Sequence, residues 1–225
     1  MVSQVVEPVA AVRTDRADMR LARVAGALYL PMFVLGPFAL LYVPDRLIVS
    51  GDAAATADRL AAHAGLLRAG TVVELYLVFA DVALAAIFYL LMSRVSRPLA
   101  LVASFFRLTW AAIGAVAILA HVAALMAVSD ADKLLLLDMH KQALAVGFVA
   151  FGTSLAILGY LIWRSGILAR PVGILLVVGG ACYVANSLLM LGMGEPSNRL
   201  VLLPAAPAEL SLCLWLLVKG VREVR

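Results

Sequence analysis

The chain has 225 residues, of which 64% are hydrophobic and only 14% are charged. Soluble domains carry about a quarter charged residues, so this composition excludes an ordinary water-soluble domain and favours a helical membrane protein. The net charge of +4 does not indicate nucleic-acid binding, because the basic residues are scattered at predicted helix ends instead of forming one patch.

Six apolar stretches are each long enough to cross a bilayer as an α-helix, which needs about 20 residues. We predict an all-α, polytopic membrane helix bundle that forms one transmembrane domain at 21–220. A flexible cytoplasmic tail is expected at 1–20 and a second, short cytoplasmic tail at 221–225. The six predicted helices cover residues 21–43, 67–93, 98–128, 134–163, 171–191 and 204–219.

Proline and glycine mark two features of these helices. Pro31 and Pro37 predict a kink in the first helix, which a bilayer helix tolerates when its neighbours satisfy the freed carbonyl groups. Gly173, Gly179 and Gly180 in the fifth helix lack side chains. We expect them to allow close packing against a neighbouring helix.

The longest loop, at about 44–66, contains a further short predicted helix. Ser50 or Asp52 is a good N-cap residue, and the alanines that follow favour a helix. Asp52, Thr56, Arg59 and His63 are spaced so that they share one polar face. We therefore expect a short amphipathic helix on the outer face between the first and second helices, either as a simple covering segment or as a lid over a site.

The positions of lysine and arginine predict the orientation of the bundle. One set of helix flanks contains Arg13, Arg16, Arg20, Arg23, Arg94, Arg97, Arg164, Arg170, Lys219, Arg222 and Arg225, and the opposite flanks contain Arg46, Arg59, Arg68, Lys133, Lys141 and Arg199. The first set is larger and lies in short loops and tails. We therefore expect both termini on the cytoplasmic side of the membrane.

Three charged residues lie deep inside predicted helices, near one level of the membrane interior: Asp81, Arg107 and Glu209. At a rise of about 1.5 Å per residue, all three lie roughly 12–18 Å from the cytoplasmic side. Charges are costly inside a bilayer, so we expect these residues to form an ion cluster. The cluster is either a buried clamp that joins three helices, or an ion-, proton- or anion-binding site in which Arg107 holds a carboxylate or phosphate.

A second polar group is predicted near the outer side of the membrane. Its candidate members are Glu74, His121, His140, Asp138, His63 and Asp52. Histidine and carboxylate side chains at one level could bind a zinc-like ion or act as an acid–base pair, and Glu74, His121 and His140 are the metal candidates. No H-x-x-x-H or H-E-x-x-H spacing supports a metal site. The alternative is a set of interfacial polar residues hydrated at the headgroups.

Several segments, together with His140, carry a resemblance to a known family. They are RLARVAG at 20–26, GDAAAT at 51–56, ASFFRL at 103–108, GYLIWRSG at 159–166, PAEL at 207–210 and LWLLVKG at 214–220. The chain resembles a family of bacterial membrane proteins classified as domain of unknown function 4386. The resemblance covers nearly all of the chain after residue 20. It implies a multi-pass protein of the bacterial cytoplasmic membrane and no particular activity, and it draws attention to Asp52, Arg107, His140 and Glu209.

Three functions are compatible with these patterns. We rank small-solute or ion binding or transport through the Arg107, Asp81 and Glu209 cluster first, and this ranking favours a non-enzymatic protein. The alternatives are a membrane-embedded enzyme with an outer-face histidine and carboxylate site, and a non-catalytic scaffold or accessory subunit. The sequence requires no cofactor. The expected partners are the lipid bilayer and a small-molecule or ionic ligand, without nucleic acid, and nothing in the sequence indicates an oligomer.

Overall fold

The computed structural model describes residues 16–194 and 197–221, and within these ranges the chain forms helices and short connections without a strand. Six helices in this described part are long and apolar enough to cross a membrane. We number them spans 1 to 6: Arg16–Leu47, Ala64–Met92, Arg97–Met126, Asp130–Ser165, Arg170–Met193 and Leu200–Val218. The predicted all-α bundle with six long apolar helices is therefore confirmed.

The spans extend beyond most of the apolar stretches that predict them. Span 1 begins at Arg16, so the last residues of the predicted tail at 1–20 are helical. The rest of that tail, at 1–15, and residues 222–225 lie outside the described residues. Apolar periodicity alone misses these ends because they contain polar residues, such as Asp18, which is buried and paired with Arg94.

Span 4 shows how local capping lengthens a helix. It has 36 residues and begins where the Ser129 hydroxyl oxygen accepts a hydrogen bond from the Asp132 backbone N–H at 3.1 Å. Asp130 and Asp132 in the first turn also interact favourably with the helix dipole. The span ends at Ser165 and is capped by Gly166, whose φ of 68° is a left-handed conformation that glycine adopts without strain.

Span 1 contains an irregular turn at the position of one predicted kink. Residues Phe38–Tyr42 form a π-helical segment directly after Pro37, whereas Pro31 lies within a regular α-helix. Pro37 has no backbone N–H to donate, so the regular hydrogen-bond ladder is already weakened there. π-Helical turns of this kind are short insertions within α-helices.

The spans form a ring that is closed in sequence order. Each span packs against the next one, and span 6 returns to pack against span 1. Spans 4 and 5 come very close together at two pairs of glycines, Gly152 with Gly180 and Gly159 with Gly173. A Cβ atom added to Gly159 would lie only 2.5 Å from the carbonyl oxygen of Gly173. The predicted close packing of the fifth helix is confirmed.

The surface helix, Ala53–Ala62, lies between spans 1 and 2 and packs against span 4. Asp52 caps it, because the Ala55 N–H donates to Asp52 Oδ1 at 2.9 Å. The prediction that Thr56 belongs to the polar face is wrong, since Thr56 is fully buried. Its hydroxyl group donates to the Asp52 carbonyl oxygen at 2.7 Å and accepts from the Val49 N–H at 3.0 Å, so it ties the helix to the preceding turn.

Buried side chains divide the bundle into layers. Next to the surface helix is an apolar cap of Val43, Leu47, Leu60, Leu67, Ala124 and Leu137. Deeper in the bundle is an apolar partition of Val78, Ala111 and Ile118. Along spans 2 and 3 the partition residues lie between the two predicted polar groups. The two groups are therefore separate sites on opposite sides of the partition.

Candidate functional site

Arg107 and Asp81 form the predicted buried ion pair. Arg107 Nε donates to Asp81 Oδ1 at 2.8 Å, and Arg107 Nη2 lies 2.5 Å from the same oxygen. Trp110 Nε1 donates to the other oxygen, Asp81 Oδ2, at 2.7 Å. Arg107 is 1% exposed and Asp81 is 2% exposed. Both oxygens of this carboxylate are thus hydrogen-bonded inside the bundle, as a buried charge requires.

Glu209 connects to this pair through tyrosine hydroxyl groups. Arg107 Nη2 donates to the Tyr29 hydroxyl oxygen at 2.7 Å, and Tyr29 also interacts with Glu209. Tyr183 donates to Glu209 Oε1 at 2.9 Å. We call Tyr29, Asp81, Arg107, Trp110, Tyr183 and Glu209 the interior network. It joins spans 1, 2, 3, 5 and 6.

Aromatic rings surround the guanidinium group of Arg107. Its central carbon lies 5.4 Å from the ring centres of Tyr29 and Phe88 and 5.1 Å from that of Phe151, within the range of cation–π attraction. Arg107 also lines a cavity of about 10 Å³ together with Ser104 and Ser154. This is roughly the volume needed by one water molecule. The cavity beside Arg107 is therefore too small for an organic solute.

On the other side of the apolar partition, Glu74, His121 and His140 form a buried cluster. Each is 3% exposed. His140 Nε2 lies 2.7 Å from Glu74 Oε2, and His121 Nδ1 lies 3.8 Å from Glu74 Oε1. The two imidazole rings stack with their centres 3.6 Å apart. One possible ligand atom from each residue lies within 4.8 Å of the other two. We call this group the Glu–His–His cluster.

Two atoms of the Glu–His–His cluster have no hydrogen-bond partner among the described residues: Glu74 Oε1 and His121 Nδ1. Buried polar atoms are nearly always paired, because each unpaired atom costs about 1–3 kcal/mol. The two atoms lie 3.8 Å apart. That separation suits two ligands that each lie about 2.0–2.2 Å from one zinc-class ion.

The other outer-side candidates lie apart from this cluster. Asp138 and His63 are exposed, and the Nδ1 atom of His63 lies 3.2 Å from the Arg59 carbonyl oxygen. Asp52 is exposed and is engaged in capping the surface helix. The structure therefore brings together three of the six residues, one each from spans 2, 3 and 4.

The apolar cap covers the Glu–His–His cluster on the side of the surface helix. Leu137 lies about one turn before His140 in span 4, and Ala124 lies about one turn after His121 in span 3. Leu60 of the surface helix belongs to the same cap. The surface helix thus closes the end of the bundle at which the cluster lies.

The chain also matches a family model described as "Domain of unknown function (DUF4386)" over residues 24–220. The chain belongs to this family. A relative named "Uncharacterized protein" from Archaeoglobus fulgidus is 26% identical over 145 residues, which cover 64% of this chain and 79% of the relative. No solved structure matches the chain. The family resemblance inferred from the sequence segments is confirmed.

Three polar partners of the buried charges in this DUF4386 protein could not be recognised from the sequence: Tyr29, Trp110 and Tyr183. Their aromatic side chains resemble packing or interfacial residues in an apolar helix. The available signal was that a buried charge needs several hydrogen-bond partners, and buried tyrosine and tryptophan supply them.

Proposed function

We propose that this DUF4386 chain is a membrane-embedded metalloprotein that binds one divalent transition-metal ion of the zinc class at Glu74, His121 and His140. The observation that carries the proposal is the convergence of three ligand atoms within 4.8 Å of one another in the bundle interior. Two imidazoles and one carboxylate are a common zinc ligand set. The residues come from three different spans, so the folded bundle brings them together.

Charge balance supports a cation in this cluster. An ionised Glu74 would be a buried negative charge, 3% exposed, whose contacts are imidazole nitrogens of His140 and His121 and not an arginine or lysine side chain. The nearest interior arginine, Arg107, is already paired with Asp81 on the other side of the apolar partition. A divalent ion would compensate Glu74 and would also bind the unpaired atoms of Glu74 and His121.

The interior network supports solute binding or transport less well. The Asp81 carboxylate and the Tyr29 hydroxyl group already bind the guanidinium group of Arg107. The adjacent cavity of about 10 Å³ has room for roughly one water molecule and not for an organic solute. We therefore place metal binding ahead of the solute function that the sequence favours, and we assign the Arg107–Asp81 pair a role in holding the bundle together.

A membrane-embedded hydrolytic enzyme is the second candidate function. Zinc sites with three protein ligands keep a fourth position for water or substrate, whereas structural sites usually use four protein ligands. The described residues supply three convergent ligands. Access to the cluster would then require movement of the apolar cap, in which Leu60 of the surface helix takes part.

The lysine and arginine distribution supports a cell-membrane location with both termini in the cytoplasm. In this orientation the surface helix and the Glu–His–His cluster are nearer the outer face. A cytoplasm-active reporter fused to the C-terminus should be active, and activity of an export-dependent reporter at the same position would contradict the orientation.

Metal titration of the detergent-purified protein tests the metal site. After chelator treatment, Co²⁺ or Zn²⁺ should bind at one ion per chain. Saturation at about 100 times the Kd stabilises the fold by about 2.7 kcal/mol, which should raise the melting temperature by roughly 5–10 °C.

Variants of two ligand residues and of one histidine outside the cluster provide the matched comparison. His140→Gln and Glu74→Gln should weaken binding by at least about 10–100-fold, the effect already seen for outer-shell partners of metal ligands. His63→Gln removes the remaining histidine of the chain, which is exposed and outside the cluster, and should bind as the wild type does. Absence of binding by the wild type, or equal losses in His63→Gln and His140→Gln, would refute the proposal.

A further inference from the structure

The charges of the interior network do not cancel. Arg107 contributes one positive charge, and its guanidinium group binds the Asp81 carboxylate through Nε and Nη2. Trp110 donates a further hydrogen bond to Asp81. If Glu209 were also ionised, the network would carry a net negative charge in the membrane interior, where isolated charge is costly. One bound proton would make the network neutral.

Glu209 is in a suitable position to exchange that proton. It lies at the middle of span 6, Leu200–Val218. It is half-buried, and the adjacent Leu210 is 40% exposed on the outside of the ring. Asp81, in contrast, is 2% exposed and is enclosed by its partners. Glu209 is therefore the more exposed of the two carboxyl residues of the network.

We propose that Glu209 is a proton-binding site in the middle of the membrane, with its proton held beside the hydroxyl groups of Tyr29 and Tyr183. This site is on the opposite side of the apolar partition from the Glu–His–His cluster, so the proposal does not depend on metal binding. The groups that face Glu209 are Tyr29 from span 1, Asp81 from span 2, Arg107 from span 3 and Tyr183 from span 5. Span 4 contributes the rings of Phe148 and Phe151, which pack against Tyr183.

The surroundings of Glu209 favour a proton over a metal cation. The Tyr29 hydroxyl oxygen accepts a hydrogen bond from Arg107 Nη2 at 2.7 Å, and the Tyr183 hydroxyl group donates to Glu209 Oε1 at 2.9 Å. A hard metal cation would need several oxygen ligands, and the guanidinium group of Arg107 would repel it. A proton needs only the carboxyl group itself.

Reaction with dicyclohexylcarbodiimide, an apolar reagent that reaches carboxyl groups from the lipid phase, tests this site. A protonated carboxyl group adds across a C=N bond of the reagent: a carbon–oxygen bond forms and the proton moves to nitrogen. An ionised carboxylate lacks that proton. At neutral pH we expect one adduct per chain, located by mass spectrometry on the peptide that contains Glu209. Glu209→Gln should abolish it, and Asp81 and Glu74 should stay unlabelled in the folded protein.

A second arm tests the charge-balance argument. Asp81→Asn removes one negative charge, so Arg107 and an ionised Glu209 would then balance without a proton, and labelling at neutral pH should fall several-fold. If Asp81→Asn does not fold, labelling of the wild-type protein at neutral pH still tests the proton site. Labelling that appears only in acid, or that sodium ions block, would overturn the proton site, as would unchanged labelling of a folded Asp81→Asn protein.

Discussion

Removal of the Arg107 side chain tests whether the interior network holds the bundle together. In Arg107→Met, Asp81 loses two donor nitrogens and keeps Trp110, and Tyr29 loses one donor. Removal of one partner of a buried ion pair costs about 3–5 kcal/mol. A chain of this length loses about 2–4 °C of melting temperature per kcal/mol, so we expect a decrease of roughly 6–20 °C.

A double variant separates two contributions to this loss: the lost attraction between Arg107 and Asp81, and the cost of leaving the Asp81 charge buried without a partner. In Arg107→Met combined with Asp81→Leu, both charges of the ion pair are replaced by apolar side chains. Replacement of a whole buried ion pair by apolar residues is often neutral, so the double variant should regain most of the lost stability. Arg68→Met, which changes an exposed arginine of span 2, should melt like the wild type.

Thermal unfolding of the detergent-purified variants, followed by tryptophan fluorescence and by size-exclusion chromatography, measures these differences. A wild-type melting temperature for Arg107→Met would refute the clamp. A double variant that is no more stable than Arg107→Met would show that the uncompensated Asp81 charge is not the cause of the loss.

Three further predictions concern packing and the surface helix. Gly159→Ala places a Cβ atom 2.5 Å from a span 5 carbonyl oxygen and should cost about 1–3 kcal/mol in thermal unfolding, whereas Gly192→Ala enters open space and should cost little. Leu60→Ala thins the apolar cap and should speed metal uptake by the Glu–His–His cluster in stopped-flow mixing; an unchanged rate would exclude entry past this residue. Asp52→Ala removes the helix cap and should destabilise the surface helix by about 1 kcal/mol in hydrogen exchange without changing metal affinity.

The number and order of the spans could be predicted because each one is an apolar stretch of bilayer length. Their ends could not, since capping groups such as Ser129 extend helices into polar sequence. The buried face of the surface helix was predicted incorrectly at Thr56. A threonine hydroxyl group can satisfy nearby backbone groups and so be buried, which a simple division into polar and apolar faces does not anticipate.

The candidate sites were predictable in part. The pairing of Arg107 with Asp81 follows from the cost of a lone charge at the depth that their positions predict. Glu74, His121 and His140 could be named as candidates, but their convergence could not be predicted. It depends on how spans 2, 3 and 4 rotate about their axes, and that rotation is determined by packing along their whole length. Because the rotation of the helices could not be predicted, His63 and Asp138 could not be removed from the candidates.

The sequence-ordered ring has a consequence for biogenesis. During synthesis each new span can pack on the one made just before it, and Arg107 meets Asp81 as soon as span 3 has joined span 2. The contact between spans 1 and 6 can form only after the last part of the chain has been synthesised. Glu209 of span 6 can interact with Tyr29 of span 1 only when this contact has formed. The last helix therefore contributes the carboxyl group that completes the interior network. A chain truncated before span 6 would leave Tyr29 without Glu209.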